Sequence, residues 1–254
     1  MTEQERIYKT EAVVLRRSEF GESDYLLTIY TPGYGKLRVI AKGARKPTGR
    51  QTGQVELFSR TFLLIHRGRE LNVISQAEVQ DHNLALQEDL DRNLYASHFV
   101  ELLDQFAFEG EENRSAYDLI VEALGWLSET DIDLRLVARY YEYRLLRVMG
   151  YAPAVFECVI GAEKLEPEDQ FFSPVDGGVV CAAHAAGRDF MRLSLGVFKV
   201  LRHFNRSSWL AVRSLTLADK QYTELERILQ TYLVYLLERR LQSVSILRQL
   251  KRDT

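Results

Sequence analysis

The sequence predicts an α+β protein in which a small five-stranded β-barrel precedes a mainly α-helical domain. Residues 1–80 contain short runs of β-branched, aromatic and aliphatic residues separated by turn residues, a pattern typical of strands. From residue 83 onward the apolar residues recur with helical spacing. The chain has 254 residues, of which 46% are hydrophobic, so it is long enough to bury a core in each part.

Five strands are predicted in the first domain, which we place at residues 1–80. The Pro-Gly-Tyr-Gly turn at residues 32–35 separates the second strand from the third, and a loop from Gly43 to Gly53 follows the third. Five short strands in this length favour a closed barrel, because closure removes exposed strand edges. The predicted strands cover residues 12–15, 25–30, 37–42, 55–66 and 71–80.

The second predicted domain, residues 81–254, is mainly helical. A first apolar stripe runs from Leu86 to Phe106, and the third helix ends at Gly150, a residue type common just beyond a helix C-terminus. Residues 151–188 break the helical period with prolines, a glycine pair and both cysteines, so we expect an irregular knob there. The other predicted helices cover residues 114–129, 134–149, 193–204 and 222–250.

Charge and hydropathy exclude several classes of protein. The formal charge is −3, but residues 1–80 sum to +4, residues 81–190 to −14 and residues 191–254 to +7, which predicts separate surfaces for different partners. No apolar run approaches the length of a membrane span, and the charged N-terminus lacks the apolar core of a secretory signal. We therefore expect a cytoplasmic protein with reduced cysteines and no membrane partner.

Residues 31–50 form the strongest candidate binding region. They contain six basic residues and no acidic residue, on a predicted strand and a glycine-rich loop. Such a cluster attracts phosphates, and Tyr30 and Tyr34 could stack on bases. A solvated hairpin with a basic loop is the alternative, but small barrels commonly hold single strands, which favours nucleic-acid binding. The six basic residues are Lys36, Arg38, Lys42, Arg45, Lys46 and Arg50.

The cysteine and histidine spacing indicates part of a metal site. Cys181 and His184 form a Cys-x-x-His pair and Cys158 adds a third donor, whereas Gly161 stands where a matching pair would place the fourth. We favour a turn-rich knob with two buried thiols, and we expect no cofactor and less than one zinc per chain. The carboxylates that could supply an oxygen, although the spacing demands neither, are Glu157 and Glu163.

Catalysis has no support in the sequence. Patterns for a P-loop, a dinucleotide-binding turn, a zinc protease and a nucleophile elbow are all absent. The remaining histidines are scattered, so we expect a protein that is not an enzyme.

Several segments resemble the RecO family of bacterial recombination and repair proteins. In the first domain the resemblance rests on residues 10–16, TEAVVLR, residues 20–24, FGESD, and residues 35–45, GKLRVIAKGAR. The middle of the chain adds residues 144–146, RLL, residues 150–153, GYAP, and Phe172-Ser173 followed by Gly177-Gly178. The resemblance covers about the whole chain.

The resemblance implies a fold in more detail than the residues alone. It implies an N-terminal OB-fold barrel, a helical domain and a degenerate zinc-finger-like knob at about residues 151–188. The family's four-cysteine zinc pattern maps onto Cys158, Gly161, Cys181 and His184. Gly161 cannot ligate a metal, which argues against a structural zinc.

The resemblance also implies a non-enzymatic mediator of homologous recombination. Such a protein binds single- and double-stranded DNA, anneals complementary strands, and engages RecR and the acidic C-terminal tail of single-strand-binding protein so that RecA can load. This role implies association with the nucleoid. The DNA-binding residues that we assign are Arg16, Tyr34, Lys36, Arg38, Lys42, Arg45, Lys46 and Arg50. A second surface, for DNA or a partner protein, comprises Arg202, Arg206, Arg213, Arg239 and Arg240.

Two other classes stay open on the residues alone. One is a different OB-fold module that binds RNA, which a comparison of DNA and RNA of one sequence would separate. The other is a protein–protein scaffold with an inert barrel, which a titration with single-stranded DNA would identify.

Overall fold

The computed structural model describes residues 6–238, and these separate into two units between residues 130 and 131. The first unit contains the predicted strands and also the helices up to residue 128. The boundary predicted near residue 80 separates strands from helices within that unit. Independent folding of residues 1–80 stays a prediction.

Five strands of the first unit form a closed barrel in the order β1-β2-β3-β5-β4, with β4 pairing back to β1. Neighbouring strands are antiparallel except for β3 and β5, which are parallel. This is the topology of an OB-fold, so the predicted fold class is confirmed. The strands are β1 Ile7–Phe20, β2 Asp24–Thr31, β3 Gly35–Ala41, β4 Arg60–His66 and β5 Asn72–Asp81.

The fourth strand is shorter than the predicted run at residues 55–66. Phe58 has a φ of 66°, a left-handed conformation that interrupts an extended strand. Residues 55–59 therefore form turns, and β4 starts at Arg60.

A one-residue bulge divides β1 into two parts. In the two parts, side chains at positions of the same parity point to opposite sides of the sheet. Val14 pairs with Ile29 and faces the barrel core, but the next pair is Arg16 with Thr28, because Leu15 is skipped. A bulge reverses the alternation of the strand, so even-numbered residues face the core before it and solvent after it. Arg16 is therefore exposed although Val14 is buried.

Three helices of the first unit follow the barrel: α1 Leu84–Glu88, α2 Leu90–Phe106 and α3 Arg114–Ser128. The side chains of Asp89 and Asn113 accept backbone N–H bonds at the starts of α2 and α3. The segment between these helices passes close to the β2–β3 turn. A Cβ at Gly35 would lie 1.8 Å from the Glu111 carbonyl oxygen, so this approach requires glycine.

The second unit packs α4, α6 and α8 together and adds a small three-stranded sheet in the order β7-β6-β8. Tyr140 of α4 meets Phe204 of α6 edge to face, with ring centroids 5.3 Å apart. The helices are α4 Leu134–Val148, α5 Ala182–Ala185, α6 Leu195–Arg206, α7 Trp209–Val212 and α8 Asp219–Leu237. The strands are β6 Gln170–Ser173, β7 Gly178–Val180 and β8 Met191–Leu193.

The last helix begins three residues before the predicted start at residue 222. It ends at Leu237, because Glu238 takes a left-handed φ of 54°, so the prediction of one unbroken helix to residue 250 is wrong. Residues 239–250, with Arg239 and Arg240, lie outside the described residues. Among residues 6–238, no helix combines the length and apolar character that crossing a membrane requires.

Candidate nucleic-acid interface

A row of polar side chains crosses three neighbouring strands on the outside of the barrel. Arg16 of β1 pairs with Thr28 of β2, and Thr28 pairs with Arg38 of β3. The adjacent residues Leu27 and Val39 point into the core, so this row points outward. Both arginines are exposed and can therefore meet a polyanion.

The same face continues along β1 and beyond β3. The side chain of Phe20 points outward on the same side of β1 as Arg16, and Phe20 is 40% exposed. Lys42 follows the last residue of β3 and is also exposed. We call the exposed residues Arg16, Arg38, Lys42 and Phe20 the basic sheet face.

Lys36 lies beside this face, but its side chain binds a residue of α2. Its ammonium group donates to the Asp104 carbonyl oxygen at 2.6 Å and pairs with the Asp104 carboxylate at 3.1 Å. Arg16, Arg38 and Lys36 line one cleft of about 340 Å³ together with Asp104 and Glu109. The charge of Lys36 is thus neutralised within the protein, and the two arginines supply the cations of the cleft.

The basic loop after β3 also contains both a cation that is paired within the protein and cations that are exposed. Arg45 pairs with the Glu19 carboxylate at 2.9 Å and donates to the Gly21 carbonyl oxygen at 3.3 Å, so it fastens the loop to the β1–β2 turn. Lys46 is exposed beside it, at a turn held by the bond from Gly49 N–H to the Lys46 carbonyl oxygen. Arg50 is exposed in a separate groove along β4 and β5.

The two tyrosines expected to stack on bases are engaged within the protein. Tyr30 is 1% exposed, so the prediction that it could stack on a base is wrong. Burial, together with the nearby Glu111 carboxylate, raises the pKa of Tyr30 to about 12. Tyr34 packs against Tyr8 with ring centroids 4.4 Å apart, and Arg67 lies over both rings.

Phe20 is an exposed aromatic residue of this face that the sequence pattern did not indicate. Alternation along β1 could have found it only if the bulge after Val14 had been known. Arg17, next to Arg16, faces the other way: its guanidinium lies 4.6 Å from the Tyr25 ring centroid and pairs with Glu56.

In the second unit the predicted arginine surface includes a structural residue. Arg202 donates to the carbonyl oxygens of Val155 and Leu165, at 2.8 and 3.0 Å, and lies 4.0 Å from the Phe198 ring centroid. It therefore joins α6 to the knob. Arg206 and Arg213 are exposed.

The knob brings four potential metal ligands together. Cys158, Cys181 and His184 are the predicted donors, and Glu163 joins them, with all four donor atoms within 4.8 Å of one another. His184 Nδ1 lies 3.7 Å from Cys158 Sγ, 3.2 Å from Cys181 Sγ and 2.9 Å from Glu163 Oε1. Two sulfurs, an imidazole and a carboxylate are a donor set that suits zinc.

Hydrogen bonds within the knob shift the pKa values of its four donor groups in both directions. Burial raises the pKa of the Cys158 thiol, but N–H groups of Cys181, Gly161 and Ile160 donate to its sulfur and leave the pKa below its usual value. The Cys181 thiol donates to Glu163, and this bond contributes most to a Glu163 pKa of about 2. Burial and the Glu163 carboxylate raise the pKa of Cys181, and Glu163 also raises that of His184.

The fold and the basic sheet face define an OB-fold protein with a helical second unit. The family model described as "Recombination protein O N terminal" matches residues 4–82, and "Recombination protein O C terminal" matches residues 87–245. The chain belongs to the RecO family, as the resemblance implied.

Named relatives agree with this assignment. A protein named DNA repair protein RecO from Roseiflexus sp. strain RS-1 is 38% identical over 96% of this chain and 86% of its own length. A protein of the same name from Desulforamulus reducens is 32% identical over 96% of this chain and 95% of its own length. The similarity therefore extends over both units.

Proposed function

We propose that this protein acts in DNA repair by binding single-stranded DNA on the basic sheet face. The row formed by Arg16, Thr28 and Arg38 on an OB-fold barrel is the observation that carries the proposal. In OB-folds this side of the barrel is a common site for oligonucleotides. The DNA repair role is that of the named relatives.

In this proposal the cations act on phosphates and carry no sequence information. Arg16, Arg38 and Lys42 neutralise successive phosphates and release counterions, with Lys46 extending the path along the loop. Phe20 offers its exposed ring to a base, which any base can use. Lys36 and Arg45 hold the surrounding backbone in place through Asp104 and Glu19.

The wider role includes the partners that the family resemblance implies. The protein would anneal complementary strands, bind double-stranded DNA, and work without catalytic chemistry in the cytoplasm, in association with the nucleoid. RecR and the acidic tail of single-strand-binding protein would be its protein partners, and RecA would load as a result. The exposed Arg206 and Arg213 are suited by charge to the acidic tail.

A salt titration of single-stranded DNA binding tests the interface. Each phosphate contact contributes about 0.7 to the slope of log K against log salt, so Arg16→Ala, Arg38→Ala and Lys42→Ala together should flatten the slope by about 2. At about 0.1 M salt the same arithmetic gives roughly 100-fold weaker binding. Fluorescence anisotropy with a labelled oligonucleotide measures both quantities.

The matched control removes three exposed cations of the second unit: Lys164→Ala, Arg192→Ala and Lys220→Ala. Equal losses in the two triple variants would refute a localised interface. An RNA oligonucleotide of the same sequence distinguishes an RNA-binding module, which would bind the RNA more tightly. Annealing of strands coated with single-strand-binding protein, with and without this protein, tests the mediator role.

A further inference from the structure

We propose that Glu163 is the fourth ligand of a zinc site formed with Cys158, Cys181 and His184, and that it replaces the ligand missing at position 161. The sequence offered three donors, which led us to expect less than one zinc per chain. The fourth donor removes the reason for that expectation. The inference is independent of the proposed DNA interface.

The donor atoms already have a spacing that a small metal ion can bridge. A tetrahedral zinc with bonds of about 2.0–2.3 Å separates its ligand atoms by about 3.3–3.8 Å. Cys158 and Cys181 lie 3.7 and 3.2 Å from His184 Nδ1, and Glu163 Oε1 lies 2.7 Å from Cys181 Sγ. With every pair within 4.8 Å, shifts of about 1 Å at most would complete the tetrahedron.

Position 161 is compatible with Glu163 only because it is glycine. A Cβ at residue 161 would lie 2.0 Å from Glu163 Oε2 and 2.3 Å from His184 Cε1. The carboxylate and the imidazole thus occupy the space that a side chain at residue 161 would fill. A side chain at position 161 and the observed positions of Glu163 and His184 therefore exclude each other.

The backbone brings Glu163 back to the cysteine five residues earlier. The Ala162 N–H donates to the Cys158 carbonyl oxygen at 2.8 Å, and the Cys158 N–H donates to the Glu163 carbonyl oxygen at 2.8 Å. Ala162 takes a φ of 61° to close this turn. The Cys181 N–H donates to Cys158 Sγ at 3.4 Å and joins the two halves of the site.

Four protein ligands make this a structural site with no position for a reacting water. Cys158 is 2% exposed, whereas the side chains of Glu163 and His184 are 42% and 41% exposed. The site therefore has a buried sulfur on one side and an accessible carboxylate and imidazole on the other. A chelator can reach such an edge, so we expect removable zinc.

The test measures Zn²⁺ content and Co²⁺ binding of the full chain. After reduction and reconstitution, the chain should hold one Zn²⁺, and Co²⁺ should give visible bands typical of tetrahedral coordination with thiolate charge transfer. Glu163→Ala should weaken Co²⁺ binding at least about tenfold, the lower end of the cost of removing a group that merely supports a ligand. Glu157→Ala, an exposed carboxylate in the same knob, is the matched control.

A reciprocal variant makes the inference specific to the ligand exchange. Gly161→Cys combined with Glu163→Ala removes the carboxylate from this space, and a shift of the His184 ring accommodates the new Cβ. This double variant should restore tight Co²⁺ binding, with thiolate charge transfer stronger by about half because three sulfurs replace two. Circular dichroism checks that each variant keeps its helices. A wild-type chain that binds no Co²⁺, or a Glu163→Ala chain with wild-type affinity and spectrum, would overturn the proposal.

Discussion

Arg38 on the barrel and Arg202 on α6 are the same residue type in two basic segments, but their surroundings differ. Arg38 stands in an outward row beside Thr28 and is exposed. Arg202 is enclosed by two carbonyl oxygens and the Phe198 ring. Burial and the neighbouring Arg206 lower the pKa of Arg202, as expected of a cation withdrawn from water. A cation in a basic segment can contact DNA only where no other group of the protein already binds it.

The largest expected effect is the loss of stability on Arg202→Ala. The change leaves the carbonyls of Val155 and Leu165 without their donor and removes a cation–π contact, which should cost about 3 kcal/mol. For a chain of this size the Tm should fall by roughly 6–12 °C. Arg206→Ala, one turn further along α6, also removes a cation–π contact, with Phe156 at 4.4 Å, but among residues 6–238 it leaves no backbone carbonyl without its donor, so Tm should fall much less. Similar shifts for the two variants would contradict the structural role of Arg202.

For the exposed residues of the basic sheet face, we expect substitutions to weaken DNA binding without lowering stability. Phe20→Ala removes a ring that is 40% exposed and should weaken single-stranded DNA binding by about 1–3 kcal/mol, or roughly 5- to 150-fold. Phe62→Ala removes an aromatic ring that is 45% exposed on β4 and serves as the control. Anisotropy titrations compare the two, and equal losses would mean that Phe20 has no special part in binding.

The basic loop after β3 combines exposed cations with one cation that is paired within the protein. Lys42→Ala, Arg45→Ala and Lys46→Ala together should flatten the salt slope by about 2 if all three cations meet phosphates. The Arg45 contacts with Glu19 and Gly21 predict a smaller change of about 1.4, because two cations remain to act. The salt slope of the Arg45→Ala single variant, measured beside Lys46→Ala, separates the two possibilities. An unchanged slope in the triple variant would exclude the loop from the interface.

The smallest effect is expected for Lys36→Met. Its partner Asp104 is 22% exposed, and partly exposed ion pairs contribute little, so the free energy of unfolding should fall by about 1 kcal/mol or less. The salt slope should stay unchanged, since this charge is already paired within the protein. A flattening of about 0.7 in salt titrations would place Lys36 among the phosphate contacts instead.

Local patterns predicted most of the fold. The alternation in residues 37–42 and the helical spacing in residues 134–149 each describe an element that the structure contains, because both depend on neighbours in sequence. Tyr30 and Lys36 could not be judged in this way. They are covered by the segment around Asp104 and Glu111, which is distant in sequence.

The fourth donor of the knob, Glu163, was one of two candidate carboxylates, and the sequence could not select it for a related reason. The spacing from Cys158 to residue 161 fits the usual metal-binding pattern, so position 161 was the natural place to look for a ligand. The left-handed conformation of Ala162 moves the donor two residues further along the chain. A positive φ at alanine has no signature in sequence, and only the backbone shows it.

Because of the bulge in β1, a slip of register in this strand would have a different effect from a substitution. Substitutions in the strand alter one side chain at a time, but a one-residue slip that closed the bulge would restore simple alternation past Val14 and exchange the two faces of every residue from Arg16 to Phe20. Arg16 would then face the barrel interior and Phe20 would leave the basic sheet face, while Arg17 would meet solvent. Loss of the bulge would therefore remove two residues of the basic sheet face at once, whereas a substitution in the strand changes one side chain.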